Sequence, residues 1–148
     1  MEGGGTFFYL DGLIIEGFFK DNKLMNDQKA KVWYPNGELY EGGWSFGWRE
    51  GKGKHYYNDG IIYDGEWKND KRHGFGKIRF PDKSEFQGFY EDDESTKANN
   101  QGKSKFIDSE GNVFEAIGHG YFHDGKLFGI GKKQYANGDY FEGEFKNG

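Results

Sequence analysis

Tyr63-Asp64-Gly65-Glu66-Trp67-Lys68-Asn69-Asp70-Lys71-Arg72-His73-Gly74-Phe75-Gly76-Lys77-Ile78-Arg79-Phe80-Pro81-Asp82 is the unit from which this chain is built. Its opening occurs 23 residues earlier as Tyr40-Glu41-Gly42-Gly43-Trp44 and 23 residues later as Phe86-Gln87-Gly88-Phe89-Tyr90. Phe141-Glu142-Gly143-Glu144-Phe145 repeats it once more near the end of the sequence. Internal repetition is settled before any site is sought, because it decides what each residue is for. Openings fall at Ile15, Tyr40, Tyr63, Phe86, Gly118 and Phe141. Two residues on there is always a Gly, and four on always an aromatic. That alternation has period two, which makes the segment a strand, strand A.

A turn-rich connection follows, such as Lys68-Asn69-Asp70-Lys71, and then Gly-x-Gly-x-x-x-aromatic: Gly51/Gly53/Tyr57, Gly74/Gly76/Phe80, Gly129/Gly131/Tyr135. This is strand B. Asp11-Gly12, Asn36-Gly37, Asp59-Gly60 and Asn137-Gly138 are reverse-turn dipeptides that lead into the next strand A. Each repeat is one β-hairpin, and successive hairpins join as an antiparallel meander. The reading is a single array over 1–148: a half repeat 1–14, repeats 15–39, 40–62, 63–85, 86–117 and 118–140, and a half repeat 141–148. The expected fold is all-β, an elongated, twisted single antiparallel sheet of about twelve short strands. Irregularities are expected in the first A–B loop, Asp21 to Gln28, and in the acidic insert Glu91–Asn100, after which strand B resumes at Gly102-Lys103-Ser104-Lys105-Phe106.

Composition agrees. Aromatics make up 20% of the residues and all hydrophobics only 34%, so more than half of the apolar material is rings. Rings favour strands, and 26 glycines without a collagen period indicate turns and close backbone contacts. With no Cys there is no disulfide, no thiolate metal site and no Cys nucleophile. A net charge of −5 argues against nucleic acid as a partner. No signal-peptide pattern and no apolar run long enough to span a bilayer are present, so a cytoplasmic setting is expected.

Folding strand A onto strand B sets offset four opposite offset thirteen. Trp44 is then expected opposite Gly53 and Trp67 opposite Gly76, with Tyr40 meeting Tyr57, Tyr63 meeting Phe80, and Phe86 meeting Phe106. The same register puts Arg79 beside Asp64 and Lys77 beside Glu66. One face carries rings and glycines. The other carries Lys31, Lys54, Lys77, Lys103 and Lys132 at one strand-B position, with Arg79 and Lys105, facing strand-A carboxylates.

Tyr63-Asp64-Gly65-Glu66-Trp67-Lys68-Asn69 with His73-Gly74-Phe75-Gly76 resembles the MORN repeat, and the likeness runs from Gly3 to Gly148. Ala30 at a strand-B glycine, Lys83 at a turn glycine, and Ile15 and Gly118 at openings depart from the pattern. The resemblance implies a ribbon of hairpins acting as an interaction scaffold, often in cytoskeletal, ciliary or membrane-linked assemblies. Such repeats also precede catalytic domains in some lipid kinases and lysine methyltransferases, so a regulatory region cut from a larger enzyme is an alternative.

No enzyme chemistry is expected, and no cofactor or metal. His119 and His123 lie four apart on a strand, a spacing that gives no shared metal face. Gly102-Lys103-Ser104 lacks the first glycine of a phosphate-binding loop, and Glu91-Asp92-Asp93-Glu94 lacks the ligand spacing of an EF-hand. What is left is a surface. The aromatic face, lined by Tyr40, Trp44, Tyr57, Tyr63, Trp67, Phe80, Phe86 and Tyr90, is expected to receive a helix or extended peptide of a partner protein, unless twist lets the rings cover one another. A second candidate is an anionic lipid headgroup site at Lys54, Lys77, Arg79, Lys103 and Lys105. The unpaired sheet edges allow end-to-end self-association.

Overall fold

The computed structural model of the chain describes residues 3–21, 23–25, 27–96 and 100–146. Parts of the first A–B loop (22 and 26) and of the acidic insert (97–99), and the closing 147–148, lie outside the described residues. The strands are β1 (Gly3–Phe8), β2 (Ile14–Lys20), β3 (Lys23–Leu24), β4 (Asp27–Trp33), β5 (Leu39–Ser45), β6 (Trp48–Tyr56) and β7 (Ile62–Lys68). They continue as β8 (Lys71–Arg79), β9 (Glu85–Tyr90), β10 (Lys105–Ile107), β11 (Val113–Ala116), β12 (Tyr121–His123), β13 (Lys126–Gln134) and β14 (Tyr140–Phe145). All fourteen join one open antiparallel sheet in meander order, two more than the repeat count suggested. The additional pieces are β3 and β11, and both mark irregular repeats.

Two turn types generate the meander. Strand A passes to strand B through two residues that both have positive φ: Phe46-Gly47 (51°, 87°), Asn69-Asp70 (50°, 67°), Asp92-Asp93 (49°, 69°) and Asp124-Gly125 (48°, 74°). This is the type I′ pattern, whose twist matches that of the flanking strands. Strand B returns to strand A through a wider turn, exemplified by Tyr57-Asn58-Asp59-Gly60. There Gly60 N–H donates to Tyr57 O at 3.2 Å, and Ile61 N–H donates to Asp59 Oδ1 at 3.1 Å. Lys83 takes the glycine place in one such turn, with φ 75°.

The tight A–B turn corrects the expected register by two residues. Gly42 pairs Gly53 and Tyr40 pairs His55; Gly65 pairs Gly76, Tyr63 pairs Ile78 and Asp64 pairs Lys77. Trp44 lies opposite Arg49 and Trp67 opposite Arg72, each beyond a bulge. Arg79 accordingly pairs Ile62 rather than standing beside Asp64. The two-residue turn at Asn69-Asp70 and the strand-B bulge that follows it together move strand B along. Phe86 does pair Phe106, where the insert restores the count.

The two glycines of Gly-x-Gly therefore have different duties. The second lies under the opening ring of its own repeat: a Cβ at Gly53 would overlap the Tyr40 ring, and one at Gly76 the Tyr63 ring. Those tyrosines curl over their own strand and donate onward, Tyr40 Oη to Gly43 O at 2.6 Å and Tyr63 Oη to Glu66 O at 2.8 Å. The first glycine faces the offset-four ring of the next repeat, as in Gly3–Phe19, Gly51–Trp67, Gly74–Tyr90 and Gly129–Phe145. Each of these glycines has positive φ, which an L side chain rarely adopts.

The fourth and fifth repeats hold the sheet together by other means. Strand B of the fourth repeat shrinks to the three residues of β10, and Lys103 lies in a turn, not on the ladder expected of it. The gap beside β9 is filled by Asn100, 2% exposed. Its Oδ1 accepts from Phe89 N–H at 2.7 Å and its Nδ2 donates to Phe89 O at 3.0 Å, so the side-chain amide replaces a strand partner. In the fifth repeat Gly118 is off the sheet. Phe114 takes the opening position, pairing Phe106, and Ala116 takes the glycine position opposite Gly131. Residues 117–120 interrupt this strand A, and β12 resumes it against the far end of β13.

Rings and aliphatics pack on one face in two clusters. The larger contains Ile15, Phe19, Val32, Tyr40, Trp44, Tyr63, Trp67 and Tyr90; the smaller contains Ala116, Leu127 and Phe145. Gly76→Ala is expected to lower the unfolding free energy by about 1–3 kcal/mol, an overpacking cost. Gly4→Ala, where a Cβ meets nothing, should change it little. Chemical denaturation of the two variants checks this.

Candidate interaction clefts on the aromatic face

Strand-B residues opposite the offset-four rings decide which parts of the aromatic face are covered. Opposite Trp44 and Trp67 these are Arg49 and Arg72. The Arg49 guanidinium lies 4.1 Å from the centroid of Trp67 in the next repeat, and Arg72 lies 5.1 Å from that of Tyr90. Each arginine is fixed by the aspartate at the second position of the following type I′ turn. Arg49 Nε donates to Asp70 Oδ1 at 2.7 Å and Arg49 Nη2 to Asp70 O at 2.8 Å. Asp70 N–H donates back to Arg49 O at 3.0 Å. Arg72 and Asp93 repeat the arrangement, with Arg72 N–H to Asp93 Oδ1 at 2.7 Å and Arg72 Nη2 to Asp93 O at 3.0 Å. These clamps tie one hairpin to the next through the turns, beyond the strand ladder. The 23-residue recurrences Arg49/Arg72 and Asp70/Asp93 are present in the sequence, where they read only as charged residues at the turns.

Behind the first clamp sits His55, 3% exposed, ringed by Tyr34, Tyr40, Tyr57 and Trp67. Its Nε2 is 3.1 Å from Glu38 Oε1 and its Nδ1 is 3.1 Å from Arg49 Nη1. Arginine can only donate, so Nδ1 accepts and the hydrogen sits on Nε2: the neutral ring fits this network. Burial holds the His55 pKa below its ordinary value, against the opposing pull of Glu38. Burial alone would raise the Glu38 carboxyl; hydrogen bonds from His55 and the Asn58 backbone instead hold it below the usual range.

Where the clamp residues are replaced, the face is open. By register Leu24 stands opposite Phe19 in the arginine place, and Gly47 stands in the aspartate place of the following turn. Between them is a cleft of about 580 Å³ lined by Tyr9, Ile15, Lys23, Leu24, Met25, Trp44, Phe46 and Gly47. The second opening follows Tyr90. The Glu91–Glu94 bridge sets Ser95 in the arginine place, and Gly125 holds the aspartate place. Here a cleft of about 330 Å³ is walled by Ile78, Phe80, Phe86, Tyr90, Phe106 and Phe122. It continues over Phe106 and Phe122 into a hollow of about 270 Å³ floored by Phe114 and Leu127. Phe86 and Phe122 meet edge to face at 5.8 Å. Arg72, Asp93, Asp124, Asp108, Lys126 and Lys133 contribute to the margins.

The residues expected to line a groove thus divide. Tyr40, Trp44, Tyr63, Trp67 and Tyr90 are buried within the larger cluster, with edges of Trp44 and Tyr90 reaching the clefts. Tyr57 is half-buried beside His55. Phe80 and Phe86 come together with Tyr90 in the C-terminal cleft. Phe106 and Phe122, which complete that cleft, were seen in the sequence only as repeat members; the insert that brings them together gave no sign of doing so.

On the opposite face, the cross-strand pairs form a continuous line: Glu16–Lys31–Glu41–Lys54–Asp64–Lys77–Gln87–Lys105–Glu115–Lys132–Glu142. Lys54 lies between two carboxylates, Lys77 and Lys105 each face one, and Arg79 faces Glu85. Among the described residues no group of His, Asp and Glu could hold a metal ion, and no helix is long and apolar enough to cross a membrane.

The MORN repeat family model matches residues 40–62, 63–85 and 119–140. No curated protein matches the sequence. Among solved structures, the TCP domain of Drosophila melanogaster SAS-4 (dCPAP), in complex with a proline-rich motif of Ana2 (dSTIL), is similar with a TM-score of 0.52 at 13% identity, covering 97% of this chain and 85% of that one. The TCP10 domain of Danio rerio CPAP, in complex with a STIL peptide, gives 0.41 at 13% identity over 95% and 78%. At such identity the first likeness is one of fold.

A pH dependence follows from the His55 network. The folded state favours the neutral ring, so it binds fewer protons than the unfolded chain just below pH 6.5. The stability this provides is complete above that pH and is lost as pH falls through the lower folded value; Glu38 adds a loss in the same direction below about pH 4.5. Thermal unfolding midpoints should therefore drop from pH 7.5 to 5.5 more steeply in the native chain than in His55→Gln.

Proposed function

From the premise that this chain, with its hairpin repeats at 40–62, 63–85 and 119–140, is a MORN-repeat protein, we propose a non-enzymatic interaction scaffold. It takes an extended segment of a partner protein in the C-terminal cleft. The observation that carries this is the open aromatic trough of Phe80, Phe86, Phe106, Phe122 and Phe114, lying where the covering arginine–aspartate pair is replaced by Ser95 and Gly125. A trough of ring faces and edges suits a proline-rich segment. Such a segment is already extended in the polyproline II form, so little entropy is lost on binding, and its pyrrolidines pack on aromatics. The similar TCP domain is itself complexed with a proline-rich motif, which supports this class of ligand. The setting we propose is a cytoskeletal or ciliary assembly. Alternating charge along the opposite face weighs against a lipid-headgroup ladder, since each lysine is offset by neighbouring carboxylates.

The test is amide chemical-shift mapping with a decaproline peptide and a Gly-Ser peptide of equal length. Decaproline should shift resonances around Phe80, Phe86, Phe106 and Phe122, and Phe122→Ala should weaken it about tenfold or more, roughly 1.4 kcal/mol. Phe141→Ala, at an exposed ring on β14, serves as the control and should not. Shifts spread evenly, or equal for both peptides, would count against the reading.

A further inference from the structure

We propose that the C-terminal trough places its ligand by charge: the proline-rich segment it receives carries a basic residue on one side of its proline run and a carboxylate on the other. The proposal rests on the ligand class inferred above and adds to it what flanks the prolines. Cations and carboxylates are equal in number along the margins, Arg72, Lys126 and Lys133 against Asp93, Asp108 and Asp124. They are unevenly placed and unevenly engaged. In the hollow beside the acidic insert, Arg72 and Asp93 neutralise one another in the clamp, Nε to Oδ1 at 3.4 Å. That leaves Asp124, whose neighbour is His123, Nε2 to Oδ2 at 3.3 Å, with both side chains exposed. Asp92 and Glu94 adjoin Asp93 in the same exposed turn. This half of the trough is negative.

In the second hollow the carboxylate is held by its own turn. Asp108 accepts from Glu110 N–H at 3.0 Å and from Asn112 N–H and Nδ2, each at 2.9 Å. Lys126 and Lys133 remain. Lys133 Nζ lies 4.9 Å from the centroid of Phe114 and 4.5 Å from that of Tyr135. Among the described residues neither lysine forms an ion pair. This half is positive. The rings themselves set no direction, because a polyproline II helix, with no internal hydrogen bonds, offers similar pyrrolidine surface whichever way its chain runs. Flanking charges therefore decide how the segment lies. From Ile78 on β8 to Lys133 on β13 the sheet takes four inter-strand steps, about 19 Å at ~4.8 Å each. Roughly six residues of polyproline II, at ~3.1 Å each, cover that span.

The experiment titrates the whole chain with end-capped hexaproline peptides bearing Lys at one end and Glu at the other, Lys at both, or Glu at both. The Lys-hexaproline-Glu peptide should bind about threefold or more tighter than either like-charged peptide, a preference that fades as salt is raised. Glu-hexaproline-Lys should match it, since the ligand can reverse. A nitroxide beside the lysine should broaden the amides of Asp93 and Ser95 and spare that of Lys133. Lys126→Glu, at an exposed position, should abolish the preference over the doubly basic peptide, with the thermal midpoint confirming the fold. Asp124→Asn, which keeps a residue suited to the left-handed turn, should abolish the preference over the doubly acidic one. A doubly basic or doubly acidic peptide binding best to the native chain would overturn the proposal. Decaproline binding combined with indifference to the end charges would overturn it alone. Failure of every proline peptide, decaproline included, would overturn the underlying reading and this with it.

Discussion

A tyrosine ring lying on a glycine of the neighbouring strand is the contact on which the ribbon depends. Tyr40 over Gly53 and Tyr63 over Gly76 leave no room for a Cβ, and each phenol then closes onto its own strand through a carbonyl. A single sheet has no second layer to bury its rings. The rings must lie nearly flat, and only glycine lets them. Burial of these phenols raises the pKa of Tyr40 and Tyr63 well above the ordinary range and pushes Tyr90 up to about 12, as desolvation of the phenolate requires.

Flat rings still expose their upper surfaces, and the chain deals with this differently along its length. In the middle, Arg49 and Arg72 cover Trp67 and Tyr90 and are pinned by Asp70 and Asp93. At both ends the pinned arginine is gone, with Leu24 and Gly47 on one side and Ser95 and Gly125 on the other. The same repeat thus yields a closed core or an open cleft according to one pair of residues. The clefts in this ribbon lie where the repeat is imperfect, which is where local consistency is relaxed.

Much of the architecture was legible because glycine and aromatic positions recur at constant spacing, which gives strands, meander order and the apolar face directly. Register was not. Offset arithmetic placed Trp67 opposite Gly76, and the type I′ turn at Asn69-Asp70 moved that partner to Arg72. A turn of this kind is signalled by Asn-Gly or Gly-Gly more readily than by Asn-Asp or Phe-Gly, so the sequence does not mark where strand A folds back. Asn100 was equally hidden. A polar residue in an acidic loop gives no hint that its amide substitutes for a strand. The clamps were visible as periodic charges, yet their meaning depends on the register, and so did the clefts.

The central claim is that presence or absence of an arginine–aspartate clamp decides whether the aromatic face is closed or open. Its most direct measurement is to build a clamp where none exists, with Ser95→Arg and Gly125→Asp together, and to follow thermal unfolding and decaproline binding. Gly125 has φ 74°, close to the 69° that Asp93 adopts at the same turn position, so the aspartate is accommodated. The account predicts a higher unfolding midpoint and loss of peptide binding for the double variant, with either single change doing less. Undiminished binding in a double variant that is more stable would contradict it.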